Sequence, residues 1–346
     1  MFAARQGFFY YTQSSPSYSS YIVLGLANSP YIAAYGWSSG FGTKYSDPTT
    51  GPPGMPYNVT FKSDNTVVAT AGGDTIGGGQ MVNAWAWSGT GFGTKYADPT
   101  GGPSSYCQGI SFLPAGTAIA ASGTESPYIY AWAWSSGFGS KYSNPADSMS
   151  STGNDTAFSG GWPEIGIALQ GTPYIAAYSW SSGSGFGSKR GNPSTTPTGV
   201  GRGITFDSNG NYCAIAHSNS PYITVYAYNS GFSSKYSNPA TTPTGIGYKP
   251  AFNPSQTVLA VAHATSPYVT AYPWSGSGFG SKYSNPSSLL NNTAYGVSFD
   301  SSGNNIAVSS SSATLGVAVY PWSSGFGTKY ADPSPTVTGC RGLAFR

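Results

Sequence analysis

One string recurs through the chain: WSSGFGTKYSDP at residues 37–48, followed by six close copies. The seven are anchored on Phe41, Phe92, Phe138, Phe186, Phe232, Phe279 and Phe326, at steps of 51, 46, 48, 46, 47 and 47 residues. So regular a period restricts the chain to a repeat architecture, in which each unit buries its apolar face only against its neighbours. Units that lean on one another in this way make one cooperative body, so the 346 residues read as a single domain.

The fifth copy shows the unit. GITF (203–206), NYCAIAH (211–217), YITVYAY (222–228) and SSKYSNP (233–239) are separated by the turn clusters DSNG, SNSP and NSGF. Apolar residues alternate at period 2 and never at 3.6, which predicts four short antiparallel strands, A to D. Strand C carries the packing logic. In YIYAWAW (128–134), Tyr128, Tyr130, Trp132 and Trp134 fall on one face and Ile129, Ala131 and Ala133 on the other. Setting the bulky face of one twisted sheet against the small-residue face of the next fills a core.

Seven such units predict an all-β fold, a seven-bladed β-propeller of four-stranded antiparallel blades. Blade 1 is expected over about 7–50, and blades 2 to 7 over about 51–100, 101–147, 148–195, 196–240, 241–287 and 288–335. Strand A ends in phenylalanine every time, at Phe61, Phe112, Phe158, Phe206, Phe252, Phe299 and Phe345. The last of these, in GLAFR, has no B, C and D strands after it, whereas YIVLGLANSPYIAAYGW (21–37) supplies strands B and C. GLAF (342–345) is therefore expected to complete blade 1 with residues 340–346 and close the ring, removing open sheet edges. GFFYY (7–11) is the rival for that place.

The A–B turns FLPAGTAIA (112–120), FNPSQTVLAVA (252–262) and FDSSGNNIAVS (299–309) resemble those of WD40 and YVTN-type propellers, and the likeness spans nearly the whole chain. Strand C ends in Tyr/Trp-x-Trp without the Asp of the WD dipeptide. The FG-[TS]-K-Y-x-[DN]-P copies are similar to repeats of propeller proteins encoded by bacteriophages. That resemblance implies a non-enzymatic binding or structural module, an accessory protein of a phage virion.

Composition excludes several alternatives. Only 7% of residues are charged and the net charge is +3, too weak a field for a nucleic-acid partner. No stretch approaches the roughly 18 consecutive apolar residues of a membrane span. Cys107, Cys213 and Cys340 lie in different repeats with no CxxC spacing, so they read as small buried hydrophobes. MFAARQGFFYYTQSS does not read as a secretory signal. Together with a polar Ser/Gly/Tyr-rich surface, this points to assembly in a host cytoplasm and a later life on a virion outside the cell.

No catalytic group or cofactor is expected. SGSGFGSKR (182–190) lacks the G-K-[ST] of a phosphate loop and lies between strands. His217 and His263 close strand B in neighbouring blades, but with Glu125 two blades from His217 they read as solvated loop-end residues instead of metal ligands. The acids are scattered singly, without the pairing that acid–base catalysis uses.

Three groups of residues remain as candidates. Four residues before each strand-A phenylalanine the repeats disagree: Tyr57, Gln108, Asn154, Arg202, Tyr248, Tyr295 and Arg341. That position lies at the mouth of a propeller's central channel, where these side chains suit a glycan or a protein partner. Lys44, Lys95, Lys141, Lys189, Lys235, Lys282 and Lys329 are expected on the outermost strand as a rim belt, a device against edge-to-edge pairing. Phe8, Phe9, Tyr10 and Tyr11 belong to an aromatic N-terminal segment that reads as a strand on blade 1 or a docking arm for another virion protein. The insertions GGDTIGGGQ (72–80) and DSMSSTGNDT (147–156) are expected on the mouth face. An intracellular WD40-like interaction scaffold is the alternative to a virion protein engaging host-surface glycan.

Overall fold

The computed structural model describes residues 20–73 and 80–346. Seven antiparallel sheets follow one another along the chain, and in blades 2 to 7 the strands run from innermost to outermost in sequence order. Blade 5 is representative: Gly201–Phe206, Tyr212–His217, Ile223–Tyr228 and Phe232–Lys235. In blade 7 the outer segment meets strand C through the single bridge Trp322–Phe326. The inner strand of blade 1 is Cys340–Phe345, which pairs with Ser20–Leu26 so that Ile22 faces Phe345 and Val23 faces Ala344. GLAF thus closes the ring. GFFYY and the proposed arm, Phe8 to Tyr11, lie outside the described residues.

The core sits between blades. Ala118, Ala120, Ile129 and Ala131 of blade 3 form the shallow side that receives Phe158, Ile165, Tyr178 and Trp180 of blade 4. Tyr130, Trp132 and Trp134, on the other face of blade 3, pack in turn on Val67, Ala69 and Ala84 of blade 2. The central aromatic of every strand C also ties down the connector that leads into its own blade. Tyr35, Tyr178, Tyr226, Tyr272 and Tyr320 donate their hydroxyls, and Trp85 and Trp132 their indole N–H groups, to carbonyls of Pro335, Asp147, Thr195, Thr241, Ser288, Thr50 and Thr100 respectively. Each large ring thereby fills the core and satisfies a loop carbonyl at once.

Strand D is shorter than SSKYSNP suggests, ending at the lysine in blades 1 to 5 and before it in blade 6. The lysine explains the departure from the ladder, because its ammonium bonds the Asp or Asn three residues on. Lys44–Asp47, Lys95–Asp98 and Lys329–Asp332 are ion pairs. Lys141, Lys235 and Lys282 donate to Asn144, Asn238 and Asn285 at 2.7, 2.6 and 2.5 Å. Six of the seven rim lysines are thus half-buried clips to the segment beyond the outer strand, and three of these six are neutralised by their own Asp. The three cysteines are free and fully buried.

Candidate binding site at the channel mouth

Inner strands start at one end of the channel, and there the ladder to strand B slips by one residue in every blade. Pro56 pairs with Gly72 but Asn58 with Ala71; Gly201 pairs with His217 but Gly203 with Ala216; Gly247 pairs with His263 but Lys249 with Ala262. The same step occurs at Cys107/Gly109, Gly153/Asp155, Ala294/Gly296 and opposite Leu24/Leu26. The extra residue of a β-bulge is unpaired and its side chain is re-aimed. The seven extra residues are Tyr57, Gln108, Asn154, Arg202, Tyr248, Tyr295 and Arg341. All seven line one cavity of about 420 Å³, together with Asn58, Tyr106, Thr124, Asp155 and Lys249.

An aromatic arc forms one side of the mouth. The Arg341 guanidinium lies over two rings, 5.2 Å from the centre of Tyr57 and 4.5 Å from that of Tyr295. Tyr295 meets Tyr248 at 4.6 Å between centroids, inclined by 58°, and Tyr57 meets Tyr106 at 6.2 Å. Tyr106 is 50% exposed and carries the arc out to solvent. Burial pushes the Tyr57 and Tyr248 hydroxyls above their usual range, with Arg341 opposing the shift at both. Both phenols are therefore protonated donors at neutral pH.

Below the arc a polar network spans the channel. The Asp155 carboxylate, 2% exposed, accepts from Asn58 Nδ2 at 2.9 Å, from the Ile204 N–H at 2.9 Å and from Lys249 Nζ at 2.5 Å. These groups come from blades 2, 4, 5 and 6, so the buried charge is both paired and hydrogen-bonded, as burial demands. Asn154 differs from its six counterparts: it is 5% exposed and its amide donates to the Gly201 carbonyl at 2.7 Å, which holds blade 4 to blade 5.

The network was not anticipated, although one signal marks it. Three residues before each strand-A phenylalanine stand Asn58, Gly109, Asp155, Gly203, Lys249, Gly296 and Gly342. The glycines make room for the exceptions: a Cβ on Gly109 would stand 2.6 Å from the Asp155 Cα, and one on Gly203 would stand 2.1 Å from the Tyr248 carbonyl oxygen. Of the insertions, residues 147–156 lead to Asn154 and Asp155 at the mouth. The other reaches it at Gly73, where a Cβ would meet the Tyr106 ring at 2.6 Å; residues 74–79 lie outside the description.

The histidines correct the sequence reading. His217 and His263 are fully buried, not solvated, with Nε2 bonded to Thr224 Oγ1 at 3.0 Å and to Thr270 Oγ1 at 2.9 Å. Burial lowers both to about 4. Glu125 is engaged by the Ser104 N–H and hydroxyl. Among the described residues no three His, Cys, Asp or Glu side chains gather as a metal site.

No family model and no curated protein sequence matches this chain. Solved structures do. A protein from Lactobacillus plantarum superposes with a TM-score of 0.68 at 12% identity, over 94% of this chain and 99% of that one. A putative 6-phosphogluconolactonase from Bacteroides fragilis gives 0.69 at 13% identity, over 94% and 98%. The Cps50 (Swd1) β-propeller domain from Myceliophteria thermophila gives 0.59 at 12%, over 80% and 87%. At such identities the likeness shows the fold alone: the chain is a seven-bladed β-propeller closed by its C-terminal strand. Propellers of this shape serve as scaffolds for sites that differ from one protein to the next.

Proposed function

We propose that this propeller is a non-enzymatic binding module that holds a saccharide at its channel mouth. The observation that carries the reading is the mouth itself: four tyrosine rings, two guanidinium groups and the Gln108 amide converge on a 420 Å³ cavity set in seven interlocked blades. Tyrosine offers an apolar face to a sugar ring and a hydroxyl to its hydroxyls. The cavity's volume lies in the range of small-molecule sites. A non-catalytic role is supported by the lining: among the described residues it includes no histidine, cysteine or serine, and the one carboxylate there, Asp155, is occupied by three donors. The resemblance to a putative 6-phosphogluconolactonase, at 13% identity, is one of fold alone.

Placement on a phage particle, facing host-surface glycan or neighbouring virion proteins, is supported by the charge-poor, Ser/Gly/Tyr-rich composition and the phage-like repeat string. A glycan array probed with the wild-type protein and with the Tyr248→Ala/Tyr295→Ala variant tests the reading. Binding to a defined glycan set, lost in the variant with its thermal midpoint preserved, is the expected result. An array left blank by the wild type, with capture of purified particles intact, would replace the saccharide by a protein partner.

A further inference from the structure

Charge does not balance at the mouth. Among the described residues, Lys249, Arg202 and Arg341 line it against a single carboxylate, Asp155. That carboxylate is paired with Lys249 and also accepts from Asn58 and the Ile204 N–H. Among the described residues neither arginine has a carboxylate partner. Arg202 Nε is buried with no hydrogen-bond acceptor among the described residues. Arg341 is held over two tyrosine faces, which attract the cation without consuming its N–H donors. Two guanidinium groups with donors to spare, in a partly enclosed cavity, form a receptor for an oxyanion, since their fork geometry matches carboxylate and phosphate alike.

We infer that the saccharide taken by the mouth carries an acidic group, a carboxylate or a phosphate, and that Arg202 and Arg341 receive it while Tyr248 and Tyr295 face the sugar ring. The inference rests on the saccharide reading above and adds the charge. The lysines of the rim do not offer the same chemistry, because an ammonium is a point charge without the guanidinium fork, and Lys44, Lys95 and Lys329 are already neutralised by their own Asp.

Calorimetric titration of the full chain with matched pairs tests it: lactose against 3′-sialyllactose, galactose against galacturonate, glucose against glucose 6-phosphate. The acidic member of at least one pair should bind roughly tenfold to a hundredfold tighter than its neutral partner, as charge-assisted hydrogen bonds allow. Arg202→Gln and Arg341→Gln, made separately, should each cut that preference to within about threefold while neutral binding persists; Lys62→Gln, on the far face beside Asp64, should leave it intact. A preference confined to the phosphate pair or to the carboxylate pairs supports the inference and names the acid. Equal affinity within every pair overturns the acidic group and leaves the saccharide site standing. No binding of any sugar by the wild type overturns both. Should Arg341→Gln misfold, Arg202→Gln and a salt titration of the wild type read the same charge, since a preference unmoved by either sinks the claim.

Discussion

Six of the seven joints between blades are made one way, and the joint between blades 4 and 5 is made another. In the six, the tyrosine that follows strand D packs edge-on against the last tryptophan of the next blade's strand C: Tyr45 on Trp87, Tyr96 on Trp134, Tyr142 on Trp180, Tyr236 on Trp274, Tyr283 on Trp322 and Tyr330 on Trp37, at 5.0 to 5.5 Å. At the remaining joint Arg190 replaces the tyrosine and Tyr228 the tryptophan, and both reach Glu164, which is fully buried. Arg190 Nη2 stands 2.5 Å from Glu164 Oε1, and the Tyr228 hydroxyl donates to Oε2. Burial and that hydrogen bond push the Tyr228 phenol far above its usual range, so it remains a donor. Three departures in two neighbouring repeats make sense only together, for each alone would leave a charge or a polar group buried without a partner.

Acid should give the largest effect, and it must be understood before the ionic joint can be read. His217 and His263 are held near 4 when folded and return to about 6.5 when unfolded, so the unfolded chain binds the extra protons. Their stabilising contribution is complete above pH 6.5, is lost as pH falls from 6.5 to 4, and changes no further below that; the loss is about 3 kcal/mol for each histidine. Thermal midpoints measured across this range should fall steeply in the wild type and much less in His217→Gln/His263→Gln. A slope unchanged in the double variant would show that the acid response does not come from these two histidines.

Trp134→Ala breaks an aromatic joint. It removes the ring that meets Tyr96, Phe112 and Phe138, and denaturant unfolding should show a loss of about 4 kcal/mol from the cavity it leaves. Breaking the ionic joint by Arg190→Met should cost about 3 kcal/mol, because Glu164 stays buried facing Tyr228 alone. Converting that joint outright to the common pattern, with Glu164→Val, Arg190→Tyr and Tyr228→Trp, should recover the wild-type value or exceed it by about 1 kcal/mol. A triple variant no better than Arg190→Met would show that the surroundings of this joint, and not its three side chains alone, differ from the other six.

How far sequence could foresee these features depends on distance along the chain. The anchors repeat every 46 to 51 residues, so strand number, strand order and the mouth position counted back from each phenylalanine were legible in the repeat itself. The Asp155–Lys249 pair joins residues 94 apart and the Asp155–Asn58 bond residues 97 apart, across the channel, where no local pattern reports a meeting. The histidines were misjudged for a related reason. A residue at the end of strand B looks exposed in its own repeat, but His217 Nδ1 lies 3.5 Å from Thr198 Oγ1, on the connector that leads into the blade. The departures at Glu164, Arg190 and Tyr228 are visible in the repeat, yet their adjacency follows only once blade 4 is set against blade 5.

Because the innermost strand of blade 1 is Cys340–Phe345, the order of synthesis matters. Blades 2 to 6 can fold as they leave the ribosome, each on the one before, while the strands around Ile22 and Tyr35 wait for a partner made more than 300 residues later. Until residues 340–346 emerge, the nascent chain is an arc with two unpartnered flanks, and the channel mouth becomes a complete circle of side chains only once that strand has paired.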